Sequence, residues 1–256
     1  MNAVGIIPAR LDATRFPRKP MALIHGMPMV GHCYHRTRLT SGLASAHVAT
    51  CDVEIADYVR SIGGSAIMTA ATHTRATTRT AEALEQIEAA TGERFDVVVM
   101  VQGDEPLILP DTIAETLRHF SDPSIDIVNI MARIRTLEQF IDKNNVKVVV
   151  NHLQDALYFS REPIPSPWRG IDNVPMFMQL GIIAFRRDAL LRFNRMPETR
   201  LEQVESVDMN RVMETGGRIR MVPTDAVSIG VDTPDELREA EILMTDDPTL
   251  AAYLAR

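Results

Sequence analysis

"VVVMVQGDEP", residues 97–106, sets an unbroken apolar run against a glycine and two acids. A strand with one wet face alternates apolar and polar residues. Val97–Gln102 does not alternate, and such continuity belongs to parallel strands covered by helices on both faces. Val4–Ala9, Ala46–Thr50 and Ala66–Thr69 share the character. Between these runs, Met29–Thr40, Glu54–Ile62 and Arg79–Ala90 carry apolar residues at helical spacing. A fourth helix, Pro110–Phe120, places Asp111 and Glu115 near its start, where the dipole favours negative charge. This βαβα alternation predicts an α/β fold with an open, mostly parallel sheet and helices on both faces.

The second half is less regular. Ile125–Arg135, Val146–Val150, Met178–Phe185, Arg218–Pro223 and Ser228–Val231 read as strands, and Leu201–Glu214 as one amphipathic helix. A last helix starts at Asp235, just after Pro234. Pro163, Pro165, Pro167, Gly170 and Pro175 make 164–175 a loop. No repeat or linker separates two units. The expectation is one domain over residues 1–256, with a smaller inserted sheet at about 125–200.

Composition narrows the function. Of the 256 residues, 45% are apolar and 24% charged, as in ordinary globular proteins. A formal net charge of −7 argues against general nucleic-acid or anionic-membrane binding. No apolar run reaches the roughly 18–20 residues of a membrane helix. MNAVGIIPAR has no basic leader and its apolar run stops at Pro8, so no secretory signal is expected and the cytoplasm is the expected location. Cys33 and Cys51 stand far apart, outside any CxxC spacing, and read as small residues in a reducing compartment. His32 and His35, three apart on a helix, read as a partly exposed pair rather than a zinc site. The Glu198–Glu205 charges read as a solvated helix face, and Trp168 as a lid, a dimer contact or a packing anchor.

In open parallel sheets, ligands bind beyond the carboxyl ends of the strands. Three such ends carry charge. The first strand delivers Pro8-Ala9-Arg10 and then a turn with Arg15, Arg18 and Lys19, stiffened by Pro17 and Pro20. Cations there, beside backbone N–H groups, suit phosphate, although most basic loops are simply solvated. Val97–Gln102 ends in Asp104 and Glu105. Carboxylates at a buried strand's end need a partner, and Mg²⁺ prefers carboxylates combined with substrate phosphates. Gly230-Val-Asp-Thr-Pro234 repeats the pattern at Asp232, which alternatively caps the following helix. Each motif is weak alone. Together they describe cations for a triphosphate and two carboxylates for its metal.

The order IPAR, TRFPRKP, VQGDEP, YFSR and GVDTPDEL, spread over about residues 4–240, resembles the CMP-Kdo synthetases, or 3-deoxy-manno-octulosonate cytidylyltransferases. The resemblance implies a nucleotide-diphospho-sugar transferase fold and a cytoplasmic, homodimeric, Mg²⁺-dependent enzyme of lipopolysaccharide biosynthesis. Its reaction joins CTP to a 3-deoxy sugar acid and releases pyrophosphate. The inserted region would serve dimerisation and sugar binding. By position, Pro8 and Ala9 would bind the nucleotide, Arg10, Arg15 and Lys19 its phosphates, with Arg10, Arg15, Lys19 and Asp104 catalytic. His73, Thr77, Arg79 and Gln102 would complete the nucleotide site, and Asp104 and Asp232 would hold the metal. Gln102, Arg161, Gln179, Glu205 and Asp208 would meet the sugar, with Arg161 matched to its carboxylate.

Departures cluster away from the phosphate and metal residues. The family's His-x-Ser-Gly-Thr-Glu-Arg loop reads His73-Thr-Arg-Ala-Thr-Thr-Arg79 here, losing a glycine beside the base. Cys51 stands where the family has Asp, and Gln179-Leu-Gly-Ile-Ile183 replaces His-Leu-Gly-Ile-Tyr. The acidic pattern appears as Glu205-x-x-Asp208-x-x-Arg211. Three readings remain open: the Kdo reaction, a cytidylyltransferase for a related ulosonic acid or another pyrimidine nucleotide, and a non-catalytic nucleotide- or sugar-acid-binding paralogue.

Overall fold

Every residue of the first strand, β1 (Ala3–Pro8), is buried, because the sheet is covered on both sides. The computed structural model describes residues 1–12, 16–170, 175–226 and 230–254. After β1 come a 3-10 turn, Lys19–Met21, the short strands β2 (Leu23–Ile24) and β3 (Met27–Pro28), and helix α1 (Met29–Arg38). Next are β4 (Ser45–Thr50), α2 (Val53–Ser61), β5 (Ala66–Met68), α3 (Ala76–Thr91), β6 (Val97–Val101) and α4 (Pro110–Arg118). The chain continues through β7 (Ile127–Arg133), α5 (Leu137–Ile141), β8 (Lys147–Val150), β9 (Ala156–Ser160), β10 (Phe177–Arg186) and α6 (Arg187–Arg195). It finishes with α7 (Arg200–Glu205), α8 (Asn210–Glu214), β11 (Arg220–Thr224), α9 (Pro234–Met244) and α10 (Pro248–Leu254).

The main sheet runs β11-β7-β10-β6-β1-β4-β5. β6, β1, β4 and β5 pair in parallel, so Val101, Pro8, Thr50 and Met68 end at one edge. β10 enters antiparallel to β6 and β7, while β11 is parallel to β7. The hairpin β8–β9 joins this sheet through the start of β10, and the separate small sheet is the β2–β3 hairpin. Helices α1, α2 and α4 cover one face, packing Val30, Ile55 and Ile113 against Ile7, Val99 and Val101. α3 and α6 cover the other, packing Leu84 and Leu190 against Val4, Ile6, Val98 and Met100. Successive residues of β6 therefore enter opposite layers. Each buried valine there stabilises the fold by roughly 1.5–3 kcal/mol.

Four sequence expectations change. The helix expected over Leu201–Glu214 is two, α7 and α8, because Ser206 adopts a left-handed φ of 53° between them. Its acidic stretch is not uniformly solvated: Glu202 is buried and takes the guanidinium of Arg211 at 2.6 and 2.7 Å. His32 is buried rather than partly exposed. Trp168 is 90% exposed, so it anchors no packing within the chain. Of the expected strand Ser228–Val231, residues 228 and 229 lie outside the described residues.

Candidate active site

The parallel edge opens into two adjoining cavities. The first, of about 350 Å³, is lined among others by Pro8, Ala9, Arg10, Lys19, His73 and Arg79. The second, of about 700 Å³, is lined among others by Gln139, Asn145, Arg161, Gln179 and Asp208. Both touch Arg75, Gln102, Asp104 and Asp232, which form the seam between them.

At that seam the three charged motifs meet. Lys19 Nζ donates to Asp104 Oδ2 and to Asp232 Oδ1, each at 2.8 Å. The two carboxylate oxygens therefore lie within twice that distance of each other and share one cation. Burial alone would lower the Lys19 ammonium, but the charges of Asp104 and Asp232 outweigh it and hold the pKa above the usual lysine value. Strand ends explain the convergence. Asp104 follows β6, and Asp232 precedes α9. The N-cap of α9 is Thr233, whose hydroxyl accepts from the amide of Glu236, so capping does not fall to Asp232. The loops are tied together where Val231 N donates to Asp104 O at 2.9 Å.

Adjacent acids have opposite fates. Asp104 faces both cavities, whereas Glu105 is almost fully buried, borders only the second and accepts the amide of Gly181 at 2.9 Å. Gly103 permits the sharp exit, since a Cβ there would stand 3.1 Å from the carbonyl oxygen of Pro8. Gly181 lets the side chain of Gln102 lie across β10, since a Cβ there would approach it to 2.9 Å.

In the first cavity Arg10 is exposed and stands two residues beyond the end of β1. Arg15 lies outside the described residues. His73 pairs through Nε2 with Glu82, whose carboxylate also takes the Ala70 amide and the Gln86 side chain. Burial opposes the charge of Glu82, but these donors win and hold its carboxyl below the usual range. Arg79 is buried; its guanidinium donates to Thr69 Oγ1 and contacts Cys51 Sγ at 3.6 Å. Thr77 lies behind the cavity wall and donates to Asp208 Oδ2 at 2.9 Å. Burial raises the Asp208 carboxyl above its usual range against that hydrogen bond.

In the second cavity Gln179 donates to the buried Asn129 at 2.7 Å. Arg161 lines the wall, with Nε on the carbonyl of Glu205 and Nη1 on that of Lys143, both at 2.9 Å. Glu205 does not line either cavity. Its carboxylate accepts Tyr158 Oη, Ser160 Oγ and Arg161 N, fastening α7 to β9.

Two residues shape the site beyond those to which the motifs assign a role. Arg75 reaches both cavities and donates to Ser206 Oγ at 3.3 Å. Lys147 is buried, and its ammonium donates to the carbonyls of Asp142 and Asn145 at 2.7 and 2.6 Å, which shapes a loop lining the second cavity. A lysine within an apolar strand motif could have flagged that role, since its charge demands such partners.

The donor set bears on metals. Among the described residues no group of three or more His, Cys, Asp or Glu side chains is arranged to hold an ion. Two aspartate oxygens around one positive charge suit Mg²⁺, which takes one or two carboxylates and completes its shell from phosphates and water. The residues present fit that ion when a nucleotide accompanies it.

Comparison with known proteins identifies the family. Residues 4–219 match the family model described as cytidylyltransferase. The chain is 43% identical over 248 residues to a 3-deoxy-manno-octulosonate cytidylyltransferase of Geobacter metallireducens, covering 93% of this chain and 95% of that one. It is 39% identical over 249 residues to a protein of the same name from Escherichia coli, covering 96% and 97%. The solved structure of a CMP:2-keto-3-deoxy-manno-octonic acid synthetase complexed with CTP superposes with a TM-score of 0.87 at 38% identity, over 96% of this chain and all of that one. A putative glucose-1-phosphate thymidylyltransferase from Bacillus anthracis, 15% identical over 95% and 96% of the two chains, shares the fold at a TM-score of 0.66.

Proposed function

This chain belongs to the cytidylyltransferase family, and from that premise we propose that it transfers CMP from CTP to the anomeric hydroxyl of Kdo or a close 3-deoxy relative. It is a nucleotidyltransferase. The observation that carries the reading is the meeting of Lys19, Asp104 and Asp232 at the seam of two cavities, one suited to each substrate.

The triphosphate enters the first cavity, where Arg10 and Lys19 neutralise its oxygens; Arg15, close to them in sequence, is assigned the same role. The sugar acid occupies the second, facing Gln102, Gln179, Arg161 and Asp208. The anomeric oxygen attacks the α-phosphorus in line. One P–O bond forms, the bond to the β-phosphate oxygen breaks, pyrophosphate leaves and the hydroxyl proton passes to solvent. Alignment across the seam and fixed positive charge supply the acceleration, so no protein nucleophile is needed. Mg²⁺ held by Asp104 and Asp232 would supply further neutralisation of phosphate charge. Lys19, held between the two carboxylates, is placed to exchange them for phosphate oxygens.

Of the departures, Gln179 lines the second cavity, Arg75 touches both and Cys51 lines neither, and none of them replaces Lys19, Asp104 or Asp232. They favour a change of fit over a loss of chemistry. A homodimer is proposed through the inserted region, where Leu153 and Leu157 of the β8–β9 segment expose more than half their surface. A cytoplasmic location is proposed from two free cysteines and from the lack, among the described residues, of any helix long and apolar enough to cross a membrane.

Pyrophosphate release measured with each NTP against a panel of sugar acids tests the reading. Turnover is expected with CTP and Kdo or a related ulosonic acid. Calorimetric binding of CTP with no turnover on any acid would establish a binding paralogue instead.

A further inference from the structure

Lys19, Asp104 and Asp232 come from three separate segments, yet their charged atoms meet at 2.8 Å. Loops of this kind are the mobile parts of a fold unless something ties them down. The tie is a buried polar chain on the far side of the site.

It starts at His32 of α1. Nε2 of that ring stands 2.8 Å from the carbonyl of Ile24, close in sequence after the Lys19 turn. A carbonyl only accepts, so Nε2 carries the proton. Burial lowers the imidazole to about 4 and keeps it neutral, so Nδ1 is bare and accepts the hydroxyl of Tyr253 at 2.7 Å. The Tyr253 oxygen in turn accepts Arg36 Nε at 3.2 Å. Arg36 is fully buried, and its Nη1 donates to the carbonyls of Leu107 and Ile108, both at 3.2 Å, just beyond Asp104–Pro106. Nη2 pairs with Asp247, at the entry to α10.

An apolar cluster completes the link. Tyr253, Leu250, Met244 and Ala240 pack with Ile24, Leu107 and Val231. Each of these last three residues neighbours one arm of the site: Ile24 the Lys19 turn, Leu107 the Asp104 loop, and Val231 Asp232 itself.

We propose that Tyr253 is a positioning residue for the active site, its hydroxyl fastening the Lys19 and Asp104 segments to α10 through His32 and Arg36 while its ring shares an apolar cluster with Val231, beside Asp232. The functional meaning rests on the nucleotidyl-transfer reading. The physical tie does not.

The test uses the full chain carrying Tyr253→Phe, which keeps the ring and removes only the hydroxyl. Amide hydrogen exchange is followed without ligands. The Val231 amide, which bonds Asp104 O, is expected to exchange at least tenfold faster, while Val98 and Val99 of β6 stay within twofold of wild type. In steady-state kinetics kcat should fall about tenfold with KM for CTP nearly unchanged. Should Tyr253→Phe fail to fold, Asp247→Asn loosens the same chain at its partly exposed end and is read identically. Unchanged exchange at Val231, or equal acceleration at every amide, overturns the proposal. A wild-type protein that turns over no nucleotide would overturn the transfer reading while leaving the exchange result to stand or fall alone.

Discussion

Cys51 Sγ lies 3.6 Å from Nη2 of Arg79, a guanidinium 2% exposed that has no carboxylate partner among the described residues. A buried cation with only a hydroxyl and a thiol beside it is under-compensated. Cys51→Asp supplies the missing charge at the right distance. Thermal unfolding should shift up by about 2–4 °C, as expected for roughly 1 kcal/mol in a chain of this size. A downward shift would mean that repulsion from Asp52, whose Oδ2 lies 3.7 Å from the same sulfur, prevails.

Removing one negative charge at the seam separates chemistry from folding. Asp104→Asn keeps shape and hydrogen-bonding capacity but loses half of the site's charge toward a divalent ion. Turnover should fall at least 100-fold, about 2.7 kcal/mol of transition-state stabilisation, with the circular dichroism spectrum and melting temperature nearly unchanged. Asp232→Asn should behave alike. Activity within threefold of wild type in either variant would remove the metal assignment.

Lys19 competes with cations for the same oxygens. In Lys19→Gln the two carboxylates repel without their ammonium, so the nucleotide-free protein should bind Mn²⁺ at least fivefold tighter by calorimetry. Turnover should nonetheless drop, because a phosphate contact is gone. Weaker Mn²⁺ binding than wild type would show that Lys19 organises the aspartates instead of occupying their ion's place.

His32 makes stability depend on pH. Its folded pKa is about 4, whereas an unperturbed histidine titrates near 6.5, so below 6.5 the unfolded chain takes up a proton that the folded one refuses. Stability is therefore complete above about pH 6.5 and declines toward pH 4, by up to roughly 3 kcal/mol. His32→Gln should be less stable at pH 7.5 yet show a shallower loss of melting temperature between pH 6.5 and 4.5. An unchanged slope would assign the acid sensitivity to other groups.

The parallel core was legible because its strands are apolar without alternation, a local signal that needs no partner. The convergence of Lys19, Asp104 and Asp232 was legible because each sits at a strand end or helix entry, where topology restricts the destination. Residues whose roles depend on distant partners were not. His32 and Arg36 look like any polar helix residues until Tyr253 and Asp247 arrive from the other end of the chain. Apolar spacing runs straight through Ser206, so the break between α7 and α8 leaves no trace in periodicity. Glu205 and Asp208 look equivalent three residues apart, yet one is consumed by Tyr158, Ser160 and Arg161 while the other faces the second cavity.

Gln102, Asp104 and Asp232 belong to both cavities. Under the proposed assignment of substrates to cavities, a conjugate assembled here would straddle a common partition, with its nucleoside half gripped in one chamber and its sugar half in the other. Departure then demands two simultaneous disengagements, whereas pyrophosphate has only one set of holds to break. Discharge of the larger product is the step most exposed to slowing, and a mimic long enough to fill both chambers would outcompete one that fills either.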